Sequence, residues 1–161
     1  MMHEIIITGP IPNPVEPKYR QISYNEPTGY IRAMIDNELI TKRTHPHVID
    51  LFSGDAGVAR ILRDLGWQES DILCVDRHIS PTPLLTGVTW KYWDLSELAR
   101  SLKNSENIPS EIMKLRATFD ITIAMTGESV SFLQTGLLVC NYFIRKGGYI
   151  LTDDPFTSKI V

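Results

Sequence analysis

The stretch His47-Val48-Ile49-Asp50-Leu51-Phe52-Ser53-Gly54-Asp55-Ala56-Gly57-Val58-Ala59-Arg60-Ile61-Leu62-Arg63-Asp64-Leu65-Gly66 decides the fold class. An apolar run ends in an acid, a turn of small residues follows, and Val58, Ile61, Leu62 and Leu65 then recur at helical spacing up to a terminating glycine. That order reads as strand, tight loop and helix. Gly54 and Gly57 lack a Cβ, so a flat ligand can lie against the backbone at the mouth of a sheet. Open parallel α/β sheets bind their ligands at this edge, beyond the carboxyl ends of the strands.

Asp50-x-Phe52-Ser53-Gly54-x-x-Gly57 resembles the first motif of the class I S-adenosylmethionine-dependent methyltransferases, and Asp50-Leu51-Phe52-Ser53-Gly54 is a wording most often met in DNA cytosine methyltransferases. It departs from the dinucleotide fingerprint G-x-G-x-x-G, because Ser53-Gly54-Asp55-Ala56-Gly57 holds only two glycines. A nicotinamide- or nucleotide-binding Rossmann protein is therefore disfavoured. An ordinary strand-to-helix turn in another α/β protein is the plain alternative.

Flanking patterns extend the α/β reading. Strands are expected at Val48 to Phe52, Asp71 to Asp76, Val88 to Trp93, Phe119 to Met125 and Tyr149 to Thr152. Helices are expected at Ala56 to Leu65, Ser96 to Lys103, Ser110 to about Arg116 and Ser129 to Arg145, the last ended by Gly147-Gly148. Such alternation specifies a Rossmann-like parallel sheet with helices on both faces. The methyltransferase fold would span about Pro46 to Asp154, so residues 46–161 form the expected S-adenosylmethionine-binding domain, preceded by a 1–45 extension. In that extension Ile5-Ile6-Ile7 is a β-branched run, and Gly9 to Pro17 holds four prolines and reads as a connector. Asn25-Glu26-Pro27 starts a lid or packing helix through about Ile40.

The resembling fold continues past its fifth strand, whereas this chain runs only to Val161 and so is short of the usual C-terminal strands. Either the version is minimal or truncated, or Ile5 to Ile7 fills part of the sheet from its other end. A bare fifth strand would leave an open edge, so a homodimer contact, a protein partner or a covering amino-terminal segment is expected there.

The second expected strand ends Cys74-Val75-Asp76-Arg77-His78. An acid about 20 residues beyond the first loop is suited to accept hydrogen bonds from both ribose hydroxyls of an adenosine, and the resemblance implies the same role for Asp76, with Arg77 beside it. Asp94, after the third strand, is placed to accept from the exocyclic amine of adenine while the Leu95 amide donates to a ring nitrogen. Capping the helix that begins near Ser96 is an equal reading of Asp94. Asp50, and less directly Asp55, would orient the loop or meet the amino group of a methionine moiety. Ser53, Gly54 and Gly57 complete the loop, and Thr126 follows the fourth strand at the same crevice.

Catalytic signals are thinner. Amino-methylating nucleic-acid enzymes keep an Asp/Asn-Pro-Pro-aromatic after the fourth strand and cytosine enzymes a Pro-Cys pair, where this chain has Ala124-Met125-Thr126-Gly127-Glu128. Glu128 is the candidate base, or else a first-turn helix acid. Asp153-Asp154 reads as a cation site or base, or as a turn before Pro155. His45 and His47 read as surface residues, and Trp90, Tyr92 and Trp93 as packing. No metal site is expected.

Composition narrows the class further. At 161 residues and 43% hydrophobic, the chain suffices for a domain with a substantial core. With 16 basic and 19 acidic residues the net charge is −3, which gives no sequence-wide field for nucleic acid or an acidic membrane. Cys74 and Cys140 sit in apolar runs and imply core thiols. No apolar run nears the roughly 20 residues that span a bilayer, and the first residues do not read as a signal peptide, so a cytoplasmic setting is expected. The expected function is methyl transfer from S-adenosylmethionine to a nucleic acid or a small molecule, with a non-catalytic scaffold subunit as the alternative.

Overall fold

Val48, Ile49, Asp50 and Leu51 are all buried, the pattern of a strand covered on both faces. The computed structural model of the chain describes residues 3–8, 20–22, 34–36, 38–53, 57–76, 87–124 and 130–153, and among these this strand is the third of seven. The strands are β1 (His3–Thr8), β2 (Arg20–Ile22), β3 (Val48–Leu51), β4 (Ile72–Val75), β5 (Thr89–Lys91), β6 (Phe119–Ala124) and β7 (Ile144–Asp153). The helices are α1 (Gly57–Asp64), α2 (Leu95–Asn104), α3 (Ser110–Met113) and α4 (Val130–Phe143). A single sheet has the order β2-β1-β7-β6-β3-β4-β5, and every pairing in it is parallel. The fold is α/β and Rossmann-like.

Parallel strands need crossovers, and these supply the two faces of the core. One face carries Val48, Ile72, Cys74, Ile121, Ile123 and Leu151 under Ala59 and Leu62 of α1, with Met34, Leu39 and Ile40 from the amino-terminal segment. The other carries Ile49, Leu51, Leu73, Val75 and Ile150 under Leu95, Leu98 and Ala99 of α2 and Val139, Cys140 and Phe143 of α4. Both thiols are buried and unbridged.

Three findings bear on the sequence reading. First, among its alternatives for the edge of the fifth expected strand, the structure has the covering amino-terminal segment: β7 has β6 on one side and β1 on the other, with β1 in register from His3↔Gly148 to Thr8↔Asp153, so the Ile5 to Ile7 run fills the sheet from its other end. Among the described residues, the edges are β2 and β5.

Second, Gly147-Gly148 lies inside β7 rather than ending a helix. Helix α4 stops at Phe143 and the strand begins at once at Ile144, with a register shift opposite Phe119 to Ile121. Gly147 takes φ +84°, and a Cβ on Gly148 would stand 2.7 Å from the Asp120 carbonyl oxygen. Close approach of two strands, not a helix cap, requires the glycine there.

Third, the helix expected through Ile40 ends earlier. Residues 34–36 are helical, Glu38 takes φ +59°, and the Leu39 amide donates to Met34 O at 2.9 Å. That is a left-handed helix stop made without glycine. The rest of that expected helix and the proline connector lie outside the described residues.

Candidate functional site

The carboxyl ends of β3, β4 and β5 lie side by side and carry Asp50, Asp76 and Asp94 in that order. Asp50 is 2% exposed, and among the described residues its Oδ2 has no hydrogen-bond partner. Burial, reinforced by the negative charge of Asp76, pushes its carboxyl up to about 8. At neutral pH the group therefore holds its proton. An orphaned carboxyl oxygen in the interior is costly, and such atoms cluster where a ligand completes the bonding.

Backbone geometry beside Asp50 is equally specific. Phe52 takes φ +58°, in the left-handed region that bulky residues avoid. This turns the chain out of β3, and Ser53 then closes on β4, its amide donating to Val75 O at 3.0 Å and its hydroxyl to the same oxygen at 3.1 Å. The Ser53 side chain is thus a clasp between β3 and β4. Gly57 opens α1, while Gly54 and Asp55 lie outside the described residues.

Asp76 follows β4 directly, and its amide donates to Lys91 O at 3.1 Å, which extends the β4–β5 ladder and fixes the backbone that carries the carboxylate. Arg77 lies outside the described residues. Asp94 caps α2, its Oδ1 accepting from the Glu97 amide at 3.1 Å. The capping reading of Asp94 therefore holds, and it leaves the second carboxylate oxygen to another partner. Leu95, the first residue of α2, is buried. Thr126 and Glu128 lie outside the described residues, as does Asp154.

The thiols take no part. Burial pushes Cys74 up to about 12, the charge of Asp50 acting in the same direction and the Ser53 hydroxyl against it. Burial likewise pushes Cys140 up to about 12, opposed by the Thr122 hydroxyl. Among the described residues no group of three or more His, Cys, Asp or Glu is arranged to hold a metal ion.

A second charged cluster, which the sequence does not single out, sits at the opposite ends of the strands. Asp120, at the start of β6, accepts from Arg145 Nε, from the His47 amide at 2.8 Å and from His47 Nδ1 at 3.3 Å. His45, read as a surface residue, is only 9% exposed, its Nδ1 2.9 Å from Thr44 Oγ1 and its Nε2 3.3 Å from Gly147 O. The cluster ties the chain before β3 to β6 and β7. It is structural in position, remote from the glycine loop.

No protein-family model matches this chain, and no curated protein does. Among solved structures it is similar to the crystal structure of a SAM dependent methyltransferase from Archaeoglobus fulgidus, with a TM-score of 0.47 and 15% identity. The match covers 76% of this chain and 51% of that chain, so the chain spans about half the length of that protein. The α/β assignment rests on the strand order itself. No described helix is long and apolar enough to cross a membrane.

Proposed function

We propose that the chain binds S-adenosylmethionine across the carboxyl ends of β3, β4 and β5 and acts as a methyltransferase. The observation that carries this reading is Asp50, a buried carboxyl with an unpartnered Oδ2 at the root of a glycine loop. A ligand with a cationic amino group at one end and a ribose diol and adenine at the other matches this donor and acceptor set. Asp50 and Asp55 would meet the amino group, with Gly54 and Gly57 leaving room for close approach. Asp76 would accept from the ribose hydroxyls, with Arg77 alongside, and the free oxygen of Asp94 together with the Leu95 amide would read the adenine edge. When bound, the cofactor supplies an electrophilic methyl group on a sulfonium. What remains for the protein is alignment of the acceptor and removal of its proton. Glu128, with Thr126 nearby in sequence, is the proposed base.

Asp50 gives this reading a distinctive signature. A cation seated against it favours the ionised carboxylate, so binding below pH 8 releases a proton. Calorimetric titration with S-adenosylhomocysteine in two buffers of different ionisation enthalpy is expected to show that release. Asp76→Ala is expected to weaken binding at least tenfold, roughly the 1.4 kcal/mol of one lost charge-assisted hydrogen bond. Absence of binding by the intact chain would overturn the reading. Binding without methyl transfer to any acceptor would favour a non-catalytic scaffold, for which the unusual Ala124-Met125-Thr126-Gly127-Glu128 is the motive. The acceptor, nucleic acid or small molecule, is left to that assay.

A further inference from the structure

A cavity of about 590 Å³ opens between strands β4 and β5 and the α3 region. Most of its floor comes from the amino ends of strands: Ile72 and Leu73 begin β4, and Phe119 begins β6. Trp93 completes that floor. Both aromatic rings rest on Phe143 of α4, Trp93 stacked at 5.9 Å and 14° and Phe119 edge-on at 5.9 Å and 88°. The floor is therefore rigid and already formed, at a volume typical of small-molecule sites.

The rim decides the ligand chemistry. Lys91 Nζ on β5 reaches Glu111 Oε2 on α3 at 3.3 Å, and His47 Nε2 lies 3.6 Å from Asp71 Oδ1. Lys91 and Glu111 are thus paired, and the Asp71 carboxylate stands beside the His47 ring. Lys114, which also lines the cavity, has no ion-pair partner among the described residues. An aromatic floor under an ammonium without an ion-pair partner among the described residues suits an apolar body with a single negative charge, while Glu111 and Asp71 oppose a polyanion. The surroundings point the same way: the large hydrophobic side chains left exposed among the described residues are Tyr92 (51%) and Met113 (57%), each adjacent in sequence to a lining residue.

We propose that this cavity is a second ligand site, separate from the glycine-loop crevice, that takes a small apolar or aromatic monocarboxylate with its carboxylate on Lys114. The test is isothermal titration of the full chain with 2-naphthoate, and with uncharged 2-naphthylmethanol for comparison. Saturable one-site binding of naphthoate is expected, weakened at least fivefold by Lys114→Gln, with no such effect on the alcohol. Saturating S-adenosylhomocysteine is expected to leave it unchanged. Leu115→Trp, which fills the cavity, is expected to abolish it, and the surface variant Lys114→Gln keeps the test decisive if that protein does not fold. No saturable binding, indifference to Lys114→Gln, or competition by S-adenosylhomocysteine would each overturn the proposal. So would a dimer by light scattering that Met113→Glu dissociates and that excludes the probe, since the face would then belong to a second copy.

Discussion

Asp50 shows how far one residue can be read from sequence and where structure must take over. Its place after an apolar run and before two glycines marks it as a candidate site residue, but a lone acid in a sequence does not reveal whether it will be paired. In the fold it is buried and, among the described residues, unpaired at Oδ2, with Asp76 as its electrostatic neighbour. The unfolded carboxyl titrates near 3.8 and the folded one near 8. Below 3.8 both states hold the proton and the group costs nothing. Between 3.8 and 8 only the unfolded chain gives its proton up, so stability falls as pH rises through that window and levels off above it. A tenfold difference in proton affinity between the two states is worth about 1.4 kcal/mol, so the loss is on the order of several kcal/mol. Thermal melts from about pH 4 to about pH 9, which bracket that window, should show this decline in the native chain, and Asp50→Asn, which cannot ionise, should flatten it. Equal slopes in both proteins would refute the assignment. The thiols offer a simpler check: with both pushed up to about 12 and buried, iodoacetamide should label neither Cys74 nor Cys140 until the chain is unfolded.

Elements are legible where their limits are set by local chemistry. Gly66, at φ +105°, stops α1 as its place after Leu65 predicts, and the Trp67 amide closes the turn on Leu62 O at 2.9 Å. Asp94 begins α2 for an equally local reason. Replacing it with Ala should cost about 1 kcal/mol, a fall of roughly 2–4 °C in Tm for a chain of this size, readable by circular dichroism. Two other helix stops carry no such signal, because Glu38 and Ser105 reach the left-handed region without glycine, at φ +59° and +52°. Both residues are exposed, and local hydrogen bonds close the turns, the Leu39 amide on Met34 O at 2.9 Å and the Glu106 amide on Ser101 O at 3.0 Å. The α4–β7 junction misleads for a different reason: Gly147-Gly148 carries the composition of a helix stop but serves a strand pressed against Asp120. Gly148→Ala should accordingly destabilise by about 1–3 kcal/mol through overpacking, measurable in urea melts.

At the scale of the whole molecule, alternating strand and helix patterns make the parallel sheet legible, because each pattern is local. The partner of β1 is legible only as one alternative among several, since an apolar run of isoleucines announces a strand without saying which edge it joins. Its pairing with β7 covers what would otherwise be an open edge, so a chain lacking residues 1–10 should self-associate, with a rise in mass by light scattering. The candidate site is legible as three acids following three consecutive strands, because topology places those ends together. The cavity behind β5 is not, because it is made by residues far apart in sequence whose only common feature is the surface they face.

The placement of β1 beside β7 has a consequence in time. On a ribosome, β1 is made long before β7, and its neighbour in the sheet does not exist until Ile144–Asp153 has been added. Until then β1 waits as a strand with no place on that side, while β3, β4 and β6 can already form a nucleus. Closing a pair so distant along the chain is entropically slow, and the waiting strand is open to mispairing. Refolding should therefore be at least biphasic, with backbone amides of β1 and of the facing side of β7 gaining exchange protection last in a pulse-labelling experiment.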